Sequence, residues 1–306
     1  ETPTHTDSPT ATVTMTVTPL PTCVNCVVKL VADNEQFVLA GPVQGFMSGG
    51  NWSIISRIQI PSYAGCSYDG PCCPCGGGDG GIVFSRGQGW SDQNGDIDIS
   101  IGSTGLSTRV YWGGWTSTSK PMTINKGEWM AFAAVYSSSD NTLRFYINGL
   151  EVHSWNAGPW PETGNPNNHL LGGQYNPYYY DGRGVLVGQS DIFVGNEIWL
   201  KRALTPADIQ AYNASVNSIS PADADVVLWM KFTGDGPVDL SGHFTGMSTG
   251  NSPAIEDDAS AFSAIPYPTD TATVTHTETQ TATYTATEYI SPTFTPTYTI
   301  TPTPTP

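Results

Sequence analysis

The sequence predicts an all-β protein, an antiparallel two-sheet sandwich with one short helix, held between two extended Thr/Pro-rich segments. Three observations predict it. Turn-forming and aromatic residues are abundant, with 33 Gly, 14 Tyr and 9 Trp in 306 residues, a profile that suits short strands and close turns. Several runs alternate apolar and polar residues with a period of two, as half-buried strands do. The composition also changes abruptly near both ends.

Residues 1–22 and 269–306 contain no Gly, Lys, Arg, Cys or Trp. Thr holds every odd position from Thr269 to Thr305 except Tyr289 and Ser291, and every even position from Thr2 to Thr18 except Ser8. The chain therefore divides into a tail (1–22), a body (23–268) and a second tail (269–306). A period of two sets every hydroxyl on one side of an extended chain. O-linked sugars are expected along such a row, at Thr12, Thr14, Thr16, Thr271, Thr273, Thr275, Thr277, Thr279, Thr281, Thr283 and Thr285. A disordered mucin-like stalk is the plain alternative. The register is stricter than a spacer requires, so the tails are expected to run extended, contact other chains and build a fibre. Ladder pairing is expected over 269–287. A polyproline conformation is expected where Pro292, Pro296, Pro302, Pro304 and Pro306 gather. The end TPTPTP would join naturally to ETPTHT, which reads as one repeat of a tandem array. Glu1, with no starting Met or leader, reads as a processed or cropped end.

Within the body, Trp52, Ile54, Ile58 and Ile60 share one face of a strand, with Ile55 the exception. Leu143, Phe145 and Ile147 alternate with polar neighbours, and Val226, Leu228, Met230 and Phe232 fall on one face of another run. Further strands are read at 82–85, 129–136, 185–187 and 192–194. One helix follows Thr205, a good N-cap, with Pro206 at the first helical position and Asp208 in the first turn. Ile209, Tyr212 and Val216 then recur at helical spacing.

GEWMAFAAVYSSSDNTLRFYINGLEV (127–152), SDIFVGNEIWLKRALTPADIQAYNAS (190–215) and DVVLWMKFTGDGPVDLSGHFTG (225–246) together resemble laminin-G-like domains with the concanavalin A-like lectin jelly roll. The resemblance covers roughly residues 34–250 and implies a jelly-roll sandwich. That fold carries lectins, adhesins, sensors and glycanases, so it does not fix a function. The segment similar to the family's opening strand comes last, at 225–232. That order implies either a circular permutation or a strand donated to a neighbouring copy, and the first needs no partner.

With 11 Lys and Arg against 27 Asp and Glu, the chain carries a net charge of -16, which excludes nucleic acid as a partner. No apolar run reaches the roughly 18 residues of a membrane span. Cys23, Cys26, Cys66, Cys72, Cys73 and Cys75 form two clusters, one at the tail root and one in a Cys-rich loop, 62–80. An even count in a Thr-rich chain reads as an extracellular disulfide set, with a bridge expected from Cys23 or Cys26 to the loop. A zinc site is the weaker alternative, since no His lies near either cluster.

Asp92, Asn94, Asp96 and Asp98 alternate around Gly95 and offer oxygen ligands for calcium. A hairpin turn on Asn94-Gly95 explains the same residues, while the resemblance implies calcium at loop rims. Glucanases of this fold carry Glu-x-Asp-x-x-Glu on one strand. Asp96-Ile97-Asp98 is the nearest match and lacks both Glu, so glycoside hydrolysis is the weakest reading. Trp112, Trp115, Trp155, Trp160, Tyr178 and Tyr179 fall in turn-like stretches and suit sugar binding, unless they pack over long loops. Asn51 and Asn213 head N-glycosylation triplets. The expected protein is a non-catalytic extracellular structural glycoprotein. It would be a filament subunit or tandem repeat that associates through its tails, with a glycan-binding adhesion module on a stalk as the alternative.

Overall fold

The computed structural model describes residues 23–31, 36–42, 46–47, 49–62, 80–86, 97–111, 115–160, 168–171, 173–176, 185–188, 191–243, 247–250, 252–265, 273–283 and 293–303. The chain forms two compact units, 1–266 and 267–306. Strands are numbered in chain order.

In the first unit β14 (Ile192–Leu200) organises a nine-stranded antiparallel sheet. One side of β14 pairs with β3 (Trp52–Gln59), which pairs in turn with β8 (Trp129–Ser137), β9 (Thr142–Ile147) and β10 (Leu150–Asn156). The other side is shared. Residues 192–194 pair with β1 (Cys26–Leu30), and residues 196–200 pair with β15 (Val226–Thr233). β16 (Gly236–Asp239) flanks β15, and β18 (Ala254–Asp257) flanks β1. So the strand from 225–232 pairs within its own chain, as the permuted reading expects. Its place beside β14 is completed by the five residues of β1.

The facing sheet runs β17 (Ser248–Gly250), β2 (Phe37–Pro42), β11 (Asn168–Leu171), β4 (Gly80–Arg86), β5 (Ile97–Gly102), β6 (Gly105–Tyr111), β7 (Trp115–Pro121). A ribbon of β12 (Gly173–Asn176) and β13 (Val185–Gly188) forms a separate ladder beside β4. Trp52, Ile54, Ile58, Tyr136, Phe145 and Leu228 pack against Val83, Phe84, Ile97, Ile99 and Val110 between the sheets. Each such side chain contributes about 1.5–3 kcal/mol on burial.

A second apolar cluster explains the exception at Ile55. The outer face of the nine-stranded sheet is also covered, because α1 (Pro206–Ala214) lays Ile209 and Tyr212 over Ile55, Ala131, Ala133 and Ile198. The helix starts where its cap dictates. Thr205 Oγ1 accepts from Asp208 N, while the Asp208 carboxylate accepts from Thr205 N, a reciprocal capping box.

The second unit is a hairpin of β19 (Thr273–Thr283) and β20 (Thr293–Thr303). Every threonine of one strand stands opposite a threonine of the other. This corrects two expectations. The ladder forms with the chain's own Pro-rich segment, and 293–303 is a β-strand rather than polyproline. Proline is tolerated there because both strands of an isolated ribbon are edges.

Candidate functional site

The two sheets meet at a rim where β10 and β7, the last strands of each, come together. Thr118 Oγ1 lies 2.9 Å from His153 Nε2. The His153 ring stacks on Phe145, and burial, aided by the Lys120 charge, holds its pKa below the usual imidazole value. A neutral ring thus sits at the rim near pH 7. Trp155 is half-buried against the edge of the core, on the same face of β10 as His153, while exposed Ser154 and Asn156 point to the opposite face of the strand. Thr116, Ser117 and Ser119 are exposed on β7. An aromatic body at a rim whose adjoining strand carries hydroxyls is suited to a polyhydroxylated ligand. The sequence placed Trp115 and Trp155 in turns. The structure puts them in β7 and β10, because both are edge strands whose polar outer residues read as loops.

Trp160 is a correction. It is only 4% exposed and packs edge-on to Trp52 at 5.0 Å, beside Tyr136. Its backbone N–H donates to the Tyr136 hydroxyl, which itself donates toward Gly158 O. This residue pins the 157–160 turn into the core and offers no face to a sugar. Trp112, Tyr178 and Tyr179 lie outside the described residues.

The calcium set does not fit at the position described. Asp98 is buried in β5, and its Oδ2 accepts from Arg109 Nε at 2.6 Å. A carboxylate neutralised by a guanidinium is a poor ligand for a hard cation. Asp92, Asn94 and Asp96 lie outside the described residues. Among the described residues no cluster of His, Cys, Asp and Glu is grouped to hold a metal ion.

The sequence reading missed several buried ionisable side chains, Glu197 and Arg57 foremost. Glu197, fully buried in β14, accepts from Trp199 Nε1 through Oε1, while Oε2 has no partner. Desolvation pushes its pKa up to about 8, so it is protonated at neutral pH. Arg57, also fully buried, lies on the opposite face of the sheet. Its Nη2 donates to Tyr212 O and Asn213 O at the end of α1, and its guanidinium lies over the Tyr212 ring. A cation at a helix C-terminus complements the macrodipole. Their only sequence signal is a charge inside an otherwise apolar run.

Asn213 is a second correction. It is 1% exposed, in the last turn of α1 against the sheet, and cannot present its amide to a transferase. Asn51 is exposed, and its Oδ1 accepts from Ser138 N and Oγ. The third correction concerns the tail root. Cys23 is bonded to Cys26, closing a local loop instead of reaching 62–80, because residues 23 and 26 flank a tight bend into β1. Cys66, Cys72, Cys73 and Cys75 lie outside the described residues.

Both ends of the body come together. Cys26 is paired with Asp257 across β1 and β18, and Asp258 N donates to Asn25 O at 2.9 Å. Beyond Asp258 a 3-10 turn (Ala259–Phe262) crosses the bulge in β14, and Ile265 N donates to Asn213 O.

A family model described as the concanavalin A-like lectin/glucanases superfamily matches residues 75–210. The fold is similar to a native heptameric SAP-like pentraxin from Limulus polyphemus, at 13% identity and TM-score 0.52, over 78% of this chain and 97% of that one. It is also similar to a putative carbohydrate binding protein from Bacteroides ovatus, at 12% identity and TM-score 0.50, over 76% of this chain and 60% of that one. The mouse laminin alpha1 chain, domains LG4-5, matches at 16% identity and TM-score 0.41, over 65% of this chain and 48% of that one. No curated protein matches the chain. The chain thus has the jelly-roll sandwich that the resemblance of the three sequence segments implies. Among the described residues no helix is long and apolar enough to cross a membrane.

Proposed function

We propose that the chain is a non-catalytic extracellular module that binds glycans or mediates adhesion through its jelly roll, and that associates with its own kind through Thr/Pro tails bearing O-linked sugars. The observation that carries the glycan reading is the β7–β10 rim, where half-buried Trp155 and His153 share one face of β10 and the adjoining β7 carries exposed Thr116, Ser117 and Ser119. The fold supports the same reading, since the protein from Bacteroides ovatus is described as carbohydrate binding. In the segment nearest to the glucanase pattern, Asp98 is already committed to Arg109. A glycan array with the full chain is the test. Binding is expected and should fall at least tenfold in Trp155→Ala while the circular dichroism of the fold is kept. An array without binders, or a variant that binds equally well, overturns this reading of the rim.

A structural reading stands beside it. The Thr-on-Thr register of β19 and β20 supports a tail built for assembly rather than for spacing. Electron microscopy of native material should show particles joined through their tails, and deletion of 269–306 should leave separate particles.

A further inference from the structure

The tail hairpin has one open edge and one closed edge. In an antiparallel ladder, opposed residues alternate between pairs that exchange both N–H···O bonds and pairs whose N–H and C=O groups point outward. Pro296 stands opposite Gln280, and Pro302 opposite Val274. Proline has no N–H, so these pairs belong to the outward set. Parity then sends every even-numbered pair outward, and the Thr–Thr pairs hold the hairpin. On β20 the outward donors of Phe294, Tyr298 and Ile300 are interrupted by Pro296 and Pro302. On β19 the outward residues are Val274, His276, Glu278, Gln280 and Ala282, with a donor and an acceptor at each.

We propose that the open edge of β19 pairs with β19 of a second copy about a two-fold axis, and that this contact closes at two chains. The proposal rests on the self-association half of the proposed function and gives it a stoichiometry. A lone two-stranded ribbon is marginal in water, and an unblunted edge is a template for a further strand. The partner must be extended, free of proline and nearly uncharged, because chains of net charge -16 repel one another. β19 meets all three conditions, with Glu278 its one acidic residue and His276 two positions away. Antiparallel pairing centred on Thr277 keeps even residues opposite even residues, as the outward donors require. It sets His276 of one copy opposite Glu278 of the other. Centring on Glu278 would oppose two glutamates, which is unfavourable. The result is a four-stranded sheet with the proline-blunted β20 strands outermost, so no further copy can add.

Sedimentation velocity and light scattering on the full chain test this. The native chain is expected to be a dimer with no larger species. Glu278→Pro places a proline at an outward site, where the hairpin already accepts Pro296 and Pro302, and should give a monomer. Pro296→Thr with Pro302→Thr restores the missing donors and should convert dimers into long polymers. If the native chain associates and Glu278→Pro associates equally, the edge contact is wrong while self-association stands. If the native chain forms fibres without the threonine replacements, closure at two is wrong. If the native chain is monomeric throughout, the self-association reading fails, and this proposal with it.

Discussion

Glu197 shows how one buried carboxyl ties the jelly roll to pH. Desolvation is the dominant cause of its raised pKa, while the hydrogen bond from Trp199 and the neighbouring Ser56 hydroxyl oppose it. The folded state therefore keeps a proton that the unfolded chain releases near the ordinary glutamate value. Stability from this group is full below about pH 4.5 and falls as pH rises toward about 8, where the folded protein also ionises. The slope in that window is at most about 1.4 kcal/mol per pH unit. Glu197→Gln has nothing to titrate, so its melting temperature should vary less between pH 5 and pH 8 than that of the native chain. Equal slopes in a thermal melt series would show that the carboxyl is already ionised in the fold. Arg57 sits on the other face with no carboxylate bonded to it, and burial lowers its pKa. Its compensation is the end of α1, so Arg57→Ala should cost about 1–3 kcal/mol in a denaturant titration by stranding Tyr212 O, while Asn213 O keeps its bond from Ile265 N.

At the scale of elements, the capped helix and the bulge in β14 are the sharpest local devices. Thr205→Ala removes one half of the capping box and should cost about 1 kcal/mol, read from a denaturant midpoint. Gly195 lies in the bulge, where an added Cβ would sit 3.2 Å from Ala261 Cβ and 3.3 Å from Arg57 Cβ. Neither neighbour is the far end of a flexible chain, so Gly195→Ala should destabilise by about 1–3 kcal/mol. The helix was legible in the sequence because its cap is local, and β3, β8, β9 and β15 were legible because one face of each is uniformly apolar. β1 was not. Its CVVKL run is buried on both faces and too short to show a period. β7 and β10 were not, because edge strands with exposed hydroxyls carry the composition of turns. The misplaced site residues follow from the same cause. Trp160 and Asn213 look like surface groups by their neighbours, and only the three-dimensional return of the chain covers them.

The whole molecule accounts for the unusual strand order. The segment similar to the family's opening strand comes last, yet β15 reaches its place beside β14 because the ends of the body lie together. Asp258 N donates to Asn25 O, and Cys26 faces Asp257 in the β1–β18 ladder. Chain ends this close can be joined without strain, and new ends are tolerated wherever the backbone is exposed and unpaired. The turn between β15 and β16 is such a place, since Gly234 and Asp235 are exposed and lie outside the ladder, with one local bond from Asp235 N to Thr233 Oγ1. A chain that joins residue 265 to residue 23 through a short Gly/Ser linker and opens at Gly234–Asp235 should fold to the same sandwich. The new break separates β15 from β16, whose ladder is only four residue pairs, so the loss should be limited to about 1–3 kcal/mol. Near-native strand content in circular dichroism, with a single cooperative melt, is the expected result. An unfolded permutant would mean that the β1–β18 contact forms only after an intact β15–β16 hairpin has closed the sheet, and that the present strand order is obligatory.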